Sequence, residues 1–455
     1  MEKKSNVIVT AVVLGLLALV WAVYLLGNPA VSAAGRLLGF VSCGLLGWVL
    51  FRFVPTALDT FSAGALDRTA AEKPGRRSSR PERRHPVVQI CLAMLAARVV
   101  LLLLAYLWSL VIHGYQGGLL DMGSLWYRGD VANYLSIARD GYGLGGDAVH
   151  HLAFFPLYPW LVRLLGSSFA GGLILSNLCA VAAGYLLYEL TLQDGDRAAA
   201  VRAAKFSILF PASFLLGVPL SDGLFLLLSV LCLLLCRKKH WFLGSLVGGL
   251  AALTRSFGIL LLVPVGWEYA LAVCKLHRSQ KQTSGRKTAR AVLWGVCLLL
   301  IPLGLAGYLG LNQVVAGNPF AFLTEQKESW NQTLGLFFHT AGYQLDQLLS
   351  CNDAGSALGL WLPNLVALLG GLVLLLVGQK RIRPSYVAYY LVYFVVSMGS
   401  GWLLSAPRYL AGLFPVYILL AQVTDKPWRN RLLSAVRLVL LLAYLYCYVK
   451  GYPVY

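Results

Sequence analysis

Residues 88–113 read VQICLAMLAARVVLLLLAYLWSLVIH, and shortly after them residues 126–163 read WYRGDVANYLSIARDGYGLGGDAVHHLAFFPLYPWLVR. The first run is long enough to cross a bilayer as a helix, which takes about 20 apolar residues. The second is the longest polar, carboxylate-bearing stretch outside the obvious linkers. A membrane-length helix leading into a loop rich in Asp, His, Tyr and Gly sets the fold class. The chain reads as an all-α polytopic membrane protein that does its chemistry on a loop outside the hydrocarbon.

Composition agrees. Of 455 residues, 58% are hydrophobic and 13% charged, against about 25% charged in soluble domains. The strand pattern of an outer-membrane barrel, with alternating segments of about ten residues, is absent. At one apolar segment per span the chain holds about 13 membrane segments. Two come first, near 7–27 and 34–55, so that residues 1–66 form an N-terminal pair. A Pro- and Arg-rich basic linker follows at 67–87 and suits a flexible cytoplasmic connector. The body runs over 88–455, with an extracytoplasmic loop at 114–168. Later spans fall near 169–192, 203–219, 221–236, 241–254, 256–273, 291–312, 357–378, 385–400, 408–423 and 432–450. A second outer loop at about 312–356 carries Glu325, Gln326, Lys327, Trp330 and Asp346. Pro211, Pro219, Gly258 and Pro264 lie at segment edges, and broken spans persist only where protein or a cavity shields the backbone. They point to a bundle around an outward-facing cavity.

The formal net charge of +19 would suggest nucleic acid in a soluble protein. Here most of the basic residues fall in groups that can all face one side of the membrane, from Lys3 and Lys4 through the linker to Lys426, Arg429 and Arg431. That is the positive-inside pattern, so the charge reports topology and contact with anionic lipid, not nucleic acid. Short loops with inner basic clusters suit a bacterial plasma membrane. The nine cysteines show no CxxC or His/Cys metal spacing and no disulfide framework. No P-loop, GxSxG or HExxH pattern occurs, so nucleotide-driven transport and the common hydrolases have no support.

Within 126–163, residues 130–139 have helical spacing at Val131, Tyr134, Leu135 and Ala138. Gly141, Gly143, Gly145 and Gly146 break that helix, and a second one starts irregularly near Phe154 because of Pro156 and Pro159. The aromatics of the loop suit the headgroup level of a bilayer. Asp130 is placed to take a proton from a sugar hydroxyl; the plain alternative is an N-cap. Asp147, His150 and His151 form a second polar group that can orient the base, assist an acceptor or hold a divalent metal, and adjacent histidines in such a loop are otherwise solvated. Asp222 starts another segment, where it acts or merely caps. Arg255 interrupts an apolar hairpin, and an intramembrane arginine is a functional candidate in search of an anion. Arg408 opens a late span. Two guanidiniums match the oxygens of a lipid phosphate; alternatively each anchors a helix at the headgroups.

The run Asp130-Val131-Ala132-Asn133-Tyr134-Leu135-Ser136-Ile137-Ala138, with Asp140-Gly141-Tyr142, resembles the first-loop motif of the PIG-V-like mannosyltransferases. Ala153-Phe154-Phe155-Pro156-Leu157-Tyr158-Pro159 is similar to that family's next block. Phe210-Pro211-Ala212-Ser213 with Ser221-Asp222-Gly223-Leu224-Phe225 resembles a third, and Leu253-Thr254-Arg255-Ser256-Phe257-Gly258 a fourth. Asn318-Pro319-Phe320-Ala321-Phe322 with Gln326 and Trp330, and then Pro407-Arg408-Tyr409-Leu410, complete the set over about residues 88–425. The chain departs in having Arg128-Gly129 where the family has an aromatic before the Asp, and Asp222 where it often has Glu. The resemblance implies a GT-C-type glycosyltransferase that takes a sugar, mannose first, from a polyprenyl-phosphate carrier. It implies Asp130 as base on the extracytoplasmic side, a glycan, lipid or protein as acceptor, and no cofactor. Arg255 and Arg408 are the expected phosphate ligands; Tyr134, Asp222, Gln326 and Tyr409 are supporting residues. A lipid or sugar transporter is the alternative from another class, and the sequence shows no internal repeat of the transporter kind.

Overall fold

The computed structural model describes residues 11–12, 14–22, 31–61, 86–114, 123–278 and 283–455. Among these the chain is helical throughout, with one isolated bridge between Leu334 and Ser400. Seven helical stretches are long and apolar enough to cross a membrane: Ala33–Thr60, Val87–His113, Phe169–Leu192, Ser256–Arg278, Ser284–Ala316, Ala354–Arg381 and Pro427–Lys450. An eighth exists if Ala406–Gly412 and Pro415–Val423, bent by 86°, count as one. The protein is an integral membrane protein. Along Val87–His113, Val88, Leu92, Val99, Leu103, Leu107 and Val111 stay exposed, as a lipid-facing stripe does.

Among the described residues, which leave out part of the first expected span, this measure counts seven or eight of the expected 13. The segment expected at 203–219 is a helix, Arg197–Ile208, followed by a 3-10 turn at Ser213–Gly217. Those expected at 221–236 and 241–254 are the short helices Asp222–Arg237 and Trp241–Ala252. Asp222–Arg237, here α2, is buried on nearly every face. A helix buried all round reads in sequence like a lipid-facing span.

The first-loop helix α1, Asp130–Asp140, buries Val131, Tyr134, Leu135, Ile137 and Ala138, and Gly141 ends it. The next helix is Leu157–Leu164. The expectation that the loop's aromatics rest at the bilayer surface does not hold for most of them. Trp126, Tyr134, Phe154, Phe155 and Tyr158 are buried in protein, while Tyr127 and Trp160 stay exposed. Edge-to-face contacts of Tyr134 with Phe154 (5.1 Å) and Tyr158 (5.2 Å) lock the loop down, an arrangement aromatic quadrupoles favour. The second outer loop is itself helical, as Ala321–Trp330 and Phe337–Ser350.

The linker expected at 67–87 lies, up to residue 85, outside the described residues, as does part of the first expected span. Ala33–Thr60 packs on the body. The carboxylate of Asp346 accepts the backbone N–H of Ser32 at 2.8 Å and also its hydroxyl, and Arg52 Nη1 donates to the Leu376 carbonyl at 3.2 Å. At the centre, Tyr390, Tyr393 and Tyr417 are buried with each hydroxyl donating to a backbone carbonyl, of Gly371, Tyr409 and Ala411. Buried polar groups persist where they are so satisfied.

Candidate active site

Four charged side chains, distant in sequence, meet at the loop end of α2. Arg408 is the pivot: Nη1 donates to Asp130 Oδ2 at 2.7 Å, and Nε donates to Asp222 Oδ2 at 2.8 Å. Arg255 Nη1 donates to the other oxygen, Asp222 Oδ1. The result is a line, Asp130–Arg408–Asp222–Arg255, of two acids and two bases. Exposure is greatest at one end: the side chain of Asp130 is 27% exposed, against 9% for Arg408, 2% for Asp222 and 14% for Arg255. Asp130 is therefore the end that faces outward.

Each member is placed by local backbone. Asp130 is the first residue of α1, after Gly129 at φ 53°, a left-handed turn that a Cβ would strain. Asp222 is the first residue of α2, after Ser221, whose side chain makes no cap bond. In both helices the acid goes to arginine, so neither Asp130 nor Asp222 is explained as a cap. Arg255 sits in extended conformation before the 3-10 turn Ser256–Leu261, and Gly258 N–H closes on the Arg255 carbonyl at 2.9 Å. A Cβ at Gly258 would lie 2.3 Å from the Ala252 nitrogen, so only glycine fits. The Arg255 guanidinium lies over the rings of Phe257 (5.9 Å) and Tyr409 (5.8 Å), a favourable cation–π arrangement.

Arg408 lies on Ala406–Gly412, which is anchored by residues the sequence did not mark. Asn364 Oδ1 accepts the Ala406 N–H at 2.9 Å, while Asn364 Nδ2 and Gln344 Nε2 each donate to the Leu403 carbonyl at 2.8 Å. Both side chains are buried. A lone amide in an apolar helix carries no sequence signal of its partner.

The supporting residues divide. Tyr134 shares a 2.8 Å hydrogen bond with Ser221 Oγ, beside Asp222. Burial pushes its phenol up to about 12, so it stays neutral next to the charged line. Tyr409 reaches the site through Arg255, whose guanidinium lies 5.8 Å from its ring centre. Gln326 lies on Ala321–Trp330, and its backbone carbonyl accepts the Gln332 N–H at 2.9 Å. His150 Nδ1 lies 3.2 Å from Glu325 Oε2 and 2.9 Å from Ser329 Oγ, and the ring meets Trp330 edge-on at 6.1 Å. It ties the two outer loops together at the rim. His151 is buried. Asp147 belongs to the 3-10 segment Gly146–Ala153, with its side chain outside what the structure describes. Among the described residues no three His, Cys, Asp or Glu come together as a metal site; the cations at this site are guanidiniums.

No family model matches the chain, and no curated protein does. Among solved structures it is similar to the oligosaccharyltransferase of Archaeoglobus fulgidus in several states. The apo form matches at 15% identity and TM-score 0.38, over 79% of this chain and 56% of that one. The complex with Zn and sulfate matches at 16% and 0.37, over 79% and 53%. The archaeal oligosaccharyltransferase AglB with an inhibitory peptide and a dolichol-phosphate matches at 14% and 0.35, over 80% and 56%. The chain thus spans little more than half the length of these proteins. What the site can do follows from its own geometry.

Proposed function

We propose that the protein is a GT-C-type membrane glycosyltransferase that moves a sugar, mannose first, from a polyprenyl-phosphate donor to an acceptor hydroxyl on the extracytoplasmic side. The observation that carries this reading is the line Asp130–Arg408–Asp222–Arg255, most exposed at its Asp130 end and most deeply buried at Asp222. Arg408 holds Asp130 Oδ2, and Oδ1 is the oxygen that takes the acceptor proton. The acceptor oxygen attacks the anomeric carbon as the bond from that carbon to the phosphate oxygen breaks, and the electron pair leaves on the phosphate. The sugar is transferred with inversion.

Negative charge concentrates on the departing phosphate, where prepositioned cations act most strongly. A guanidinium has five N–H donors. The contacts to Asp222 and Asp130 engage Nε and Nη1 of Arg408 and Nη1 of Arg255, and the Nη2 groups serve the phosphate. Asp222 keeps both guanidiniums in register. A lipid-phosphate sugar is already activated, so neither nucleotide nor metal has a step to perform. The test is Asp130→Asn in purified protein with polyprenyl-phosphate mannose. General-base removal lowers the rate about 10²- to 10⁴-fold; a rate near that of the parent removes Asp130 as base. Movement of labelled lipid across vesicles without product formation would favour a transporter.

A further inference from the structure

The end of the last helix, Pro427–Lys450, lies against the segment that leads into the base. Gly451 closes that helix at φ 88°, and the Tyr448 carbonyl in its last turn accepts the Gly451 N–H at 3.1 Å. The same carbonyl accepts Arg128 Nη1 at 2.7 Å, although 320 positions separate the two residues. The Arg128 guanidinium also lies 5.5 Å from the centre of the Tyr448 ring, and Trp126 stacks on that ring at 5.4 Å. A helix C-terminus is the negative end of the backbone dipole, so a guanidinium suits it. The helix end is itself fixed. Phe214 meets the Tyr448 ring at 5.4 Å, and His113 Nε2 lies 2.7 Å from the Val449 carbonyl.

Arg128 reaches Asp130 through the backbone. Its carbonyl accepts the Val131 N–H at 3.2 Å, and its N–H donates to the Trp126 carbonyl at 2.9 Å. One of the free N–H groups at the start of α1 is thus bound by Arg128 itself. Between Arg128 and Asp130 stands Gly129, at φ 53° and ψ −128°. Nothing lies within 4 Å of where a Cβ there would stand, so backbone conformation and not crowding calls for glycine. Gly129 has no side chain to fix the approach, and α1 has no side-chain cap bond. The entry to α1 is therefore held from outside, by Arg128 on the last helix. Asp130 needs such holding, because Arg408 grips only its Oδ2 and a misplacement of about 1 Å can cost about 100-fold in rate.

We propose that Arg128 is a positioning residue for the base: its clamp on the end of the last helix sets where the Asp130 carboxylate meets Arg408 and the acceptor hydroxyl. The effect on rate rests on the glycosyltransferase reading; the clamp itself does not. Backbone hydrogen exchange over residues 127–135 is measured on the full-length protein in detergent without substrate. Transfer from polyprenyl-phosphate mannose is measured on the same preparations. Arg128→Ala speeds exchange at the start of α1 by about tenfold or more. It lowers kcat by about 10- to 100-fold, with KM for the donor within about twofold of the parent. Arg128→Lys, which still reaches the carbonyl, falls between. In the Asp130→Asn background Arg128→Ala lowers the rate no further, since it acts through that carboxylate. Should Arg128→Ala fail to fold, Arg128→Met keeps a stem over the Tyr448 ring, lacks the N–H donors and shows the same changes. Unchanged exchange in Arg128→Ala and Arg128→Met overturns the proposal. So does a loss of rate as large in the Asp130→Asn background as in the parent, and so does a rise in KM at unchanged kcat, which makes Arg128 a substrate ligand. Faster exchange in variants of a parent that transfers no sugar leaves the clamp standing and removes the glycosyltransferase reading instead.

Discussion

Two ionic clusters stand at opposite ends of α2, about 24 Å apart along its axis, and they are built differently. At the Arg237 end, Asp194 accepts from both Nη groups of Arg237, from the Tyr386 hydroxyl at 2.9 Å and from Arg383 at 3.3 Å. Glu268 accepts from Arg383 Nε at 2.6 Å and Nη2 at 3.0 Å and from the Ser385 hydroxyl at 2.7 Å. Every carboxylate oxygen there has a donor. At the Asp222 end the line stops at Asp130, which one arginine holds by one oxygen. A saturated network fastens helices; the other leaves one carboxylate oxygen of Asp130 without a protein donor among the described residues, beside two guanidiniums. Charge count alone would not separate them.

The largest difference should appear on removing the central acid of each. Asp222→Ala strands Arg255 and Arg408 without a carboxylate between them, and breaking a buried pair from one side costs about 3–5 kcal/mol. Asp194→Ala costs less, because Asp194 is 25% exposed and Glu268 still holds Arg383. Thermal unfolding in detergent compares the two, and equal losses would erase the distinction. Next come the amides that anchor Arg408. Gln344→Leu or Asn364→Ala leaves buried backbone groups at Leu403 and Ala406 short of partners, at about 1–3 kcal/mol, and slows transfer by misplacing the guanidinium. Asp130→Asn sharpens the contrast from the other side: stability moves by at most about 1 kcal/mol, as for a partly exposed pair, while transfer is lost. A variant that unfolds instead would make Asp130 structural. The smallest effect is expected for His150→Ala at the rim, within about 0.5 kcal/mol because the side chain is nearly half exposed and screened. Protease sensitivity of the two outer loops would report it first.

Much of the site was legible along the chain, for stated reasons. Arg255 stood out because a charge in an apolar context is costly enough to need a purpose, Asp130 by its place in the polar loop, and Asp222 and Arg408 by opening apolar segments; the structure brings all four together. The α1 face was readable from its spacing. Gln344 and Asn364 were missed because an amide's role lies in its partner, and their partners lie at Leu403 and Ala406. His150 was grouped with Asp130 by proximity in sequence, whereas a loop can carry it to Glu325.

By itself, then, the sequence determined that this is a helical integral membrane protein, because apolar runs of bilayer length have no other stable form in lipid, and it marked which charges were too costly to be incidental. Which apolar segments are short helices enclosed by neighbours was visible only in the tertiary structure, since such a helix and a lipid-facing span share one composition. So was the pairing of the charges. Which acid an arginine meets depends on where helices end in space, and the Asp130–Arg408 contact joins residues 278 positions apart. The open carboxylate at one end of α2 and the closed network at the other follow from that packing.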